Sequence, residues 1–326
     1  MKPHAYDVMP APVNKHVEQV LHKAHKSIKM KSALSGHEGP VFVVRKCHTK
    51  EYCLSGASDR QIKLWNITTG SCLKTYEKGH NHEVFDIAVC DDNKQFVSCG
   101  GDKPIILWDV FTANIIRKFM GHDQQVNCLC YNKFYNVLVS GSYDSTCKIW
   151  DLEARNSRPI QTLFDFQDSV TNVCVTSDQI ICGSVDENLR IYDIRFGKLK
   201  THNVGAPING LYACGDDDYV FCTTTDNKII LYDKAEEKII SEYSGDHETS
   251  EFNASVRVTS DNSSVVTTSE DGAIVFYDLV TKKMVNKVFG HEKPIVSMDI
   301  INGTKDGSEE VMVTGSLDGT VGVWST

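Results

Sequence analysis

Histidine, serine and aspartate stand in this chain at spacings that could carry nucleophilic catalysis. His122, Ser142 and Asp144 would supply a base, a nucleophile and an orienting carboxylate, with Trp150 just beyond. His291, Ser316, Asp318 and Trp324 offer the same set near the end of the chain. A catalytic triad is one constellation held in one place. A set that recurs at near-constant offsets reads as structure instead, so no residue is assigned a catalytic role and the chain is read as a non-enzyme. Ser140-Gly141-Ser142 has the look of a nucleophile loop, but it lies within a strand of the repeat. The sequence contains no G-x-x-x-x-G-K-[ST] phosphate loop, no H-E-x-x-H zinc motif and no G-x-S-x-G elbow. The 12 cysteines include no C-x-x-C pair, and Cys128 and Cys130 have no second ligand pair to complete a zinc site. They read as small buried apolar side chains. Neither a metal nor a cofactor is called for.

The residues that repeat also mark out the elements that position them. An aromatic residue followed by Asn or Asp occurs at Trp65, Trp108, Trp150, Tyr192, Tyr232 and Tyr277, and Trp324 closes the series. Successive gaps are 43, 42, 42, 40, 45 and 47 residues. Six positions before each aromatic lies an aspartate: Asp59, Asp102, Asp144, Asp186, Asp226, Asp271 and Asp318. Gly-His pairs stand upstream at His37, His80, His122 and His291, with a looser Gly245-Asp246-His247. A period of about 40 residues is the mark of a repeat architecture. Within a unit the runs VNCLCY, NVLVSGS and TCKIWDL are short, β-rich and separated by turn residues, so each unit reads as four strands.

This pattern resembles the WD40 family across residues 28 to 326. The resemblance implies an all-β fold, a seven-bladed propeller over residues 27–326, with residues 1–26 as an extension that forms a short helix or a frayed tail. The last unit stops one strand short, and the segment Ser27 to Leu34 is expected to supply it, pairing the two ends of the chain and removing two open sheet edges. The resemblance also assigns the repeated polar residues. The aspartate accepts from the histidine and from turn amides, and the serine links histidine to the indole N–H, giving structural tetrads His122, Ser142, Asp144, Trp150 and His291, Ser316, Asp318, Trp324. On that alignment Ala57 and Gly100 take the serine position in the first two units and cut their chains short. Phe166-Gln167-Asp168 replaces Gly-His in unit four and unit five lacks the histidine, so units four and five are expected to be the softer arc.

Family resemblance further implies that residues flanking the first apolar residue of each inner strand, or preceding the turn aspartate, face protein partners at the narrow end of the channel. These are Pro40, Phe42 and Ser58; Glu83 and Phe85; Gln125, Asn127 and Tyr143; Pro294, Val296 and Leu317. Phe42, Phe85 and Tyr143 are the expected anchors, because aromatic residues are enriched at binding hot spots. A second feature, Tyr192-Asp193-Ile194-Arg195, resembles the box by which some members dock on the adaptor of cullin-4 ubiquitin ligases. It supports an alternative reading as a ligase substrate receptor. The text of units two to six, including GGDKPIILWDV and CGSVDENLRIYDIRFGKL, is similar to the mitogen-activated protein kinase organizer group. That similarity implies a scaffold for kinase modules, for pre-mRNA splicing complexes, or for both.

Composition bounds the partners. The chain has 326 residues, 41% of them apolar and 24% charged, a balance that supports a packed core. Its net charge of -9 gives no global attraction to nucleic acid, so direct nucleic-acid binding is not expected. No apolar run reaches the length of a membrane span. The first thirteen residues show no apolar signal region, and Asp7 and Glu18 interrupt any basic presequence. The expectation is a monomer of the cytoplasm, the nucleus or both, whose partners are other proteins such as kinase-module or splicing components.

Overall fold

The computed structural model describes residues 28–214, 218–301 and 310–325. The extension read over residues 1–26 lies outside them. Every regular element among the described residues is a β-strand, and the strands form seven four-stranded antiparallel sheets. Six sheets are continuous in sequence and form blades 1 to 6, over residues 41–76, 84–119, 126–163, 170–203, 208–244 and 256–289. The seventh combines Ile295–Ile301, Val311–Ser316 and Thr320–Ser325 with the early strand Lys29–Ser35. The two ends of the chain thus join as the spacing predicts, with Leu34 opposite Val321 and Ser35 opposite Thr320.

Burial falls from the second strand of a blade to its outer strand, and the sequence follows it. The second strand of blade 3, Val137–Ser142, is buried at five of its six positions. It is covered on both faces by neighbouring blades and therefore reads as an apolar run. The edge strand Lys29–Ser35 instead alternates exposed residues with partly buried ones and the buried Leu34. The apolar core lies between blades. Tyr76 of blade 1 meets Phe96 and Trp108 of blade 2 edge to face, at ring centroid distances of 4.8 and 5.9 Å. Such close approach needs a residue without a side chain in the second strand. A Cβ on Gly141 would lie 2.5 Å from Val170 Cγ1 of the next blade, which explains the serine-glycine-serine run.

The described cysteines follow their assignment with one exception. Eight are buried and three half-buried, whereas Cys72 is exposed on the outer strand of blade 1.

Four of the seven blades carry a complete polar tetrad, but its hydroxyl is not the one the sequence alignment selects. In blade 3, His122 Nδ1 bonds Asp144 Oδ2 at 2.8 Å, and His122 Nε2 bonds Ser140 Oγ at 2.8 Å. Trp150 Nε1–H donates to the same Ser140 oxygen at 2.9 Å. Ser142 sits at the turn instead, donating to the Gln125 carbonyl at 2.7 Å. Blade 7 repeats the correction: Thr314, not Ser316, joins His291 to Trp324, with both bonds at 2.8 Å. Ser316 donates to the Lys293 carbonyl at 3.0 Å. The cause is the two-residue period of a strand, which puts both hydroxyls on one face. Only the one directly opposite the residue two before the tryptophan reaches the indole, as Ser140 faces Lys148.

This register also completes the first two blades. Ser55 links His37 to Trp65, and Ser98 links His80 to Trp108, all four bonds being 2.7 to 2.8 Å. Ala57 and Gly100 therefore cut nothing short. Blade 4 is also better held than expected. Arg190 takes the place of histidine, bonding both oxygens of Asp186 at 2.9 and 2.8 Å, over the Phe166 ring. The buried side-chain atoms without a partner, among the described residues, are His202 Nε2, Asn209 Oδ1, Thr223 Oγ1, Tyr232 Oη and His247 Nε2. They shift the less satisfied arc toward blades 5 and 6.

Candidate protein-binding site

The inner strands create the site by a shared irregularity. In six blades the strand register slips by one residue just after the first position, leaving one residue without a cross-strand partner. Those residues are Phe42, Phe85, Asn127, Thr171, Asn209 and Val296. A bulge turns the unpaired side chain out of the sheet plane. Repeated around the ring, it lines one end of the channel with side chains that the blades do not need for pairing.

Five of these six residues meet in a mouth of about 290 Å³, together with Gln125 and the segment Glu251-Phe252-Asn253. Phe42 and Phe85 pack edge to face with centroids 5.7 Å apart and an interplanar angle of 81°. Asn127 is held in place by donating to Ser169 Oγ and the Val170 carbonyl, both at 2.9 Å. The sixth bulge residue acts at one remove. Asn209 Nδ2 donates to the carbonyls of Thr249 and Phe252, at 2.6 and 3.1 Å, and so ties the blade 6 loop across the opening. Glu270 completes that tie by accepting from the backbone N–H of Glu251 and Phe252, at 2.6 and 2.9 Å.

All eleven residues expected to face partners lie at this end of the ring, but they divide into two groups. Phe42, Phe85, Gln125, Asn127 and Val296 line the mouth. Pro40, Ser58, Glu83, Tyr143, Pro294 and Leu317 sit outside it, just before the first strand of a blade or just after its second strand. There Ser58 N–H donates to the Pro40 carbonyl at 2.9 Å and Leu317 N–H to the Pro294 carbonyl at 3.0 Å. Of the three expected anchors only Tyr143 is exposed; Phe42 and Phe85 are half-buried against each other, and Val296 is buried. Sequence reasoning missed Thr171, although it follows the first apolar residue of its strand as Phe42 does. It also missed residues 251–253, whose only signal is the longer gap of 45 between Tyr232 and Tyr277.

The rim is acidic. Its exposed charges include Glu38, Asp123, Asp168, Glu248, Glu251 and Glu292 against Arg60, Lys103 and Lys293, and of the turn aspartates Asp226 and Asp271 are exposed as well. Below the mouth the channel wall is charged but self-satisfied. Arg45 Nη2 reaches Asp86 Oδ1 at 2.7 Å, and the other Asp86 oxygen accepts the Leu129 N–H of blade 3 at 2.9 Å. Asp299 Oδ2 accepts the Lys46 N–H across the blade 7 to blade 1 joint at 3.1 Å, and Arg257 approaches its other oxygen at 3.5 Å. Burial raises the Asp86 pKa despite Arg45. Burial acts on Asp299 too, but Arg257, Lys46 and Arg45 together hold its pKa below the usual value. These groups lock inner strands together. What the mouth offers is three aromatic side chains, three amide side chains and an acidic border, a set suited to gripping a protein segment.

Tyr192, Asp193 and Arg195 lie at the opposite end of blade 4. Tyr192 Oη donates to Asp165 at 3.1 Å, Asp193 Oδ1 accepts the N–H groups of Arg195 and Phe196 at 2.9 Å each, and Arg195 is exposed. No cluster of three or more His, Cys, Asp or Glu side chains able to hold a metal occurs among the described residues.

The family model for the WD domain, G-beta repeat, matches residues 28–66, 70–109, 113–151 and 282–325. These segments hold the four tryptophans and the four complete tetrads. A WD repeat domain-containing protein 83 homolog of Dictyostelium discoideum is 30% identical over 326 residues, covering 91% of this chain and 98% of that protein. The rat WD repeat domain-containing protein 83 is 37% identical over 127 residues, 39% of this chain and 40% of its own. A U5 small nuclear ribonucleoprotein 40 kDa protein of Dictyostelium discoideum is 28% identical over 169 residues, 50% of this chain and 46% of its own.

Proposed function

The chain belongs to the WD-repeat family, and from that premise we propose that it is a non-catalytic scaffold that assembles pre-mRNA splicing complexes and kinase-signalling modules in the nucleus and cytoplasm. The observation that carries the binding role is the ring of bulged side chains. Six blades each leave one inner-strand residue without a cross-strand partner, and five of those six residues meet at the mouth. Function on a common fold lives in such grafted sites. Similarity to the protein 83 homolog over nearly its whole length supports the scaffold reading, and similarity to a small nuclear ribonucleoprotein component favours splicing as the first of the two settings. The acidic rim fits attachment through basic protein segments, and a scaffold needs no chemistry beyond raising the local concentration of what it holds.

The test is crosslinking of the wild-type chain in native extract, read by mass spectrometry, beside a Phe42→Ala/Phe85→Ala variant. Splicing or kinase-module proteins should crosslink to the wild type at the mouth and be lost from the variant, while both proteins melt within a few degrees of each other. Recovery of neither group, or identical recovery with the variant, would overturn the proposal. Imaging of the tagged chain should show it in both compartments.

A further inference from the structure

The polar side chains at the mouth are oriented by neighbours that can only accept. Asn127 holds its amide nitrogen 2.9 Å from the Val170 carbonyl and 2.9 Å from Ser169 Oγ. A carbonyl accepts and never donates, so this end of the amide is the NH2 group and Oδ1 is the end left over. Gln125 Nε2 approaches that oxygen at 3.5 Å, the outer limit of a hydrogen bond. Thr171 Oγ1 lies 2.6 Å from the Ile208 carbonyl and 3.2 Å from the Gly183 carbonyl. They take its single proton and leave its lone pairs. Asn209, which ties the blade 6 loop, spends its NH2 on two carbonyls, and its buried Oδ1 has no donor among the described residues.

The lining is therefore richer in acceptors than in donors. Its one charged residue is Glu251, whose exposed carboxylate has no hydrogen-bond or ion-pair partner among the described residues. No lysine or arginine lines the mouth among the described residues. Arg45 and Arg257 lie deeper in the channel and are held by Asp86 and Asp299. Three phenyl rings complete the lining, and Phe252 presents its ring from the tied loop, 36% exposed. The face of such a ring is its negative part.

We propose that the mouth seats the side chain of an arginine carried by a partner protein. This rests on the mouth being the protein-binding site and adds the residue type that it takes. A guanidinium is flat, positively charged and weakly hydrated, and it carries five N–H donors and no acceptor. Its donors suit the free oxygens of Asn127, Thr171 and Glu251, and its plane suits an aromatic face. A lysine ammonium is a compact point charge that holds its water more tightly, so it gives up more on entering a half-apolar opening. A carboxylate or a phosphate would meet Glu251 and a wall of lone pairs. An aliphatic side chain would strip water from those acceptors and return no hydrogen bond.

The test is selection of short random peptides on the full-length chain, counter-selected on the Phe42→Ala/Phe85→Ala variant so that the survivors depend on the mouth. One arginine should recur among them. In a synthetic copy of a recovered peptide, replacing that arginine by lysine should weaken binding about tenfold or more, and replacing it by leucine should weaken it further. Glu251→Gln and Phe252→Ala should each weaken the arginine peptide about fivefold or more while keeping the wild-type melting temperature. Mouth-dependent peptides without a recurring arginine, or a peptide that binds as well with lysine in its place, overturn the proposal and leave the mouth a binding site of another kind. Undiminished binding by both variants overturns it as well. Failure to recover any mouth-dependent peptide overturns this proposal together with the reading on which it rests.

Discussion

Two serines two residues apart in blade 3 should differ sharply in what their hydroxyls contribute. Ser140 Oγ accepts the Trp150 indole proton at 2.9 Å and bonds His122 Nε2 at 2.8 Å, and all three residues are buried. Ser140→Ala leaves an indole N–H and a ring nitrogen without partners in a site closed to water. Each orphaned group costs about 1–3 kcal/mol, so the variant should lose roughly 2–4 kcal/mol. Ser142 Oγ works at the turn, donating to the Gln125 carbonyl at 2.7 Å and accepting the Asp144 N–H at 3.1 Å. The Gln125 carbonyl keeps its bond from Tyr143 N–H when that hydroxyl is removed. Ser142→Ala should therefore cost about 1 kcal/mol. For a chain of this length each kcal/mol moves the melting midpoint by about 2 °C, so the two variants should fall roughly 4–8 °C and 2 °C below the wild type. Thermal unfolding followed by circular dichroism separates these values. Equal midpoints, or a greater loss from Ser142→Ala, would refute the register on which the tetrads rest.

Closure of the ring is tested by Leu34→Ala, which removes a buried side chain from the early strand where it faces Val321. The expected loss is about 2–4 kcal/mol in urea unfolding, and a loss within error of zero would mean that the early strand does not seal blade 7. Acid should unfold the protein in two stages. Burial lowers the His247 pKa from 6.5 to about 4, so the unfolded chain takes up a proton in that interval that the folded chain does not. Stability should thus be full above pH 6.5 and decline toward pH 4, and His247→Gln should flatten that decline. Asp59, Asp102, Asp144 and Asp318 account for the second stage. Burial opposes their ionisation, but hydrogen bonds from histidine, turn hydroxyls and turn amides outweigh it and hold all four pKa values below 3.8. Their contribution is complete above that pH and is lost as the pH falls further. Urea midpoints measured across the acid range check both stages, and a midpoint constant from neutral pH to pH 4 would contradict the first.

The blades were legible because the offset of six between aspartate and aromatic is a matter of turn geometry, fixed by how the third strand leaves its hairpin. The closing strand was legible because an unpaired segment at one end matched a missing strand at the other. The tetrad hydroxyl was not, since Ser140 and Ser142 share a face and only the cross-strand position of Lys148 distinguishes them. The serines of the first two blades, Ser55 and Ser98, were overlooked for the same reason. At the mouth, the positions of Phe42, Phe85, Asn127 and Val296 could be read from the inner-strand pattern, but their exposure could not. That depends on contacts between blades, such as the edge-to-face pair that leaves Phe42 and Phe85 half-buried.

The mouth owes its freedom to where the core is. Each apolar cluster lies between adjacent sheets, so a blade is fixed chiefly by packing against its neighbours. Side chains at the bulges, which take no part in strand pairing, can therefore serve binding without loosening the ring. A rigid ring also fixes the separation between the segments that its faces hold. Two partners held in that way meet at an effective concentration set by geometry alone, and one that requires no new contact between them.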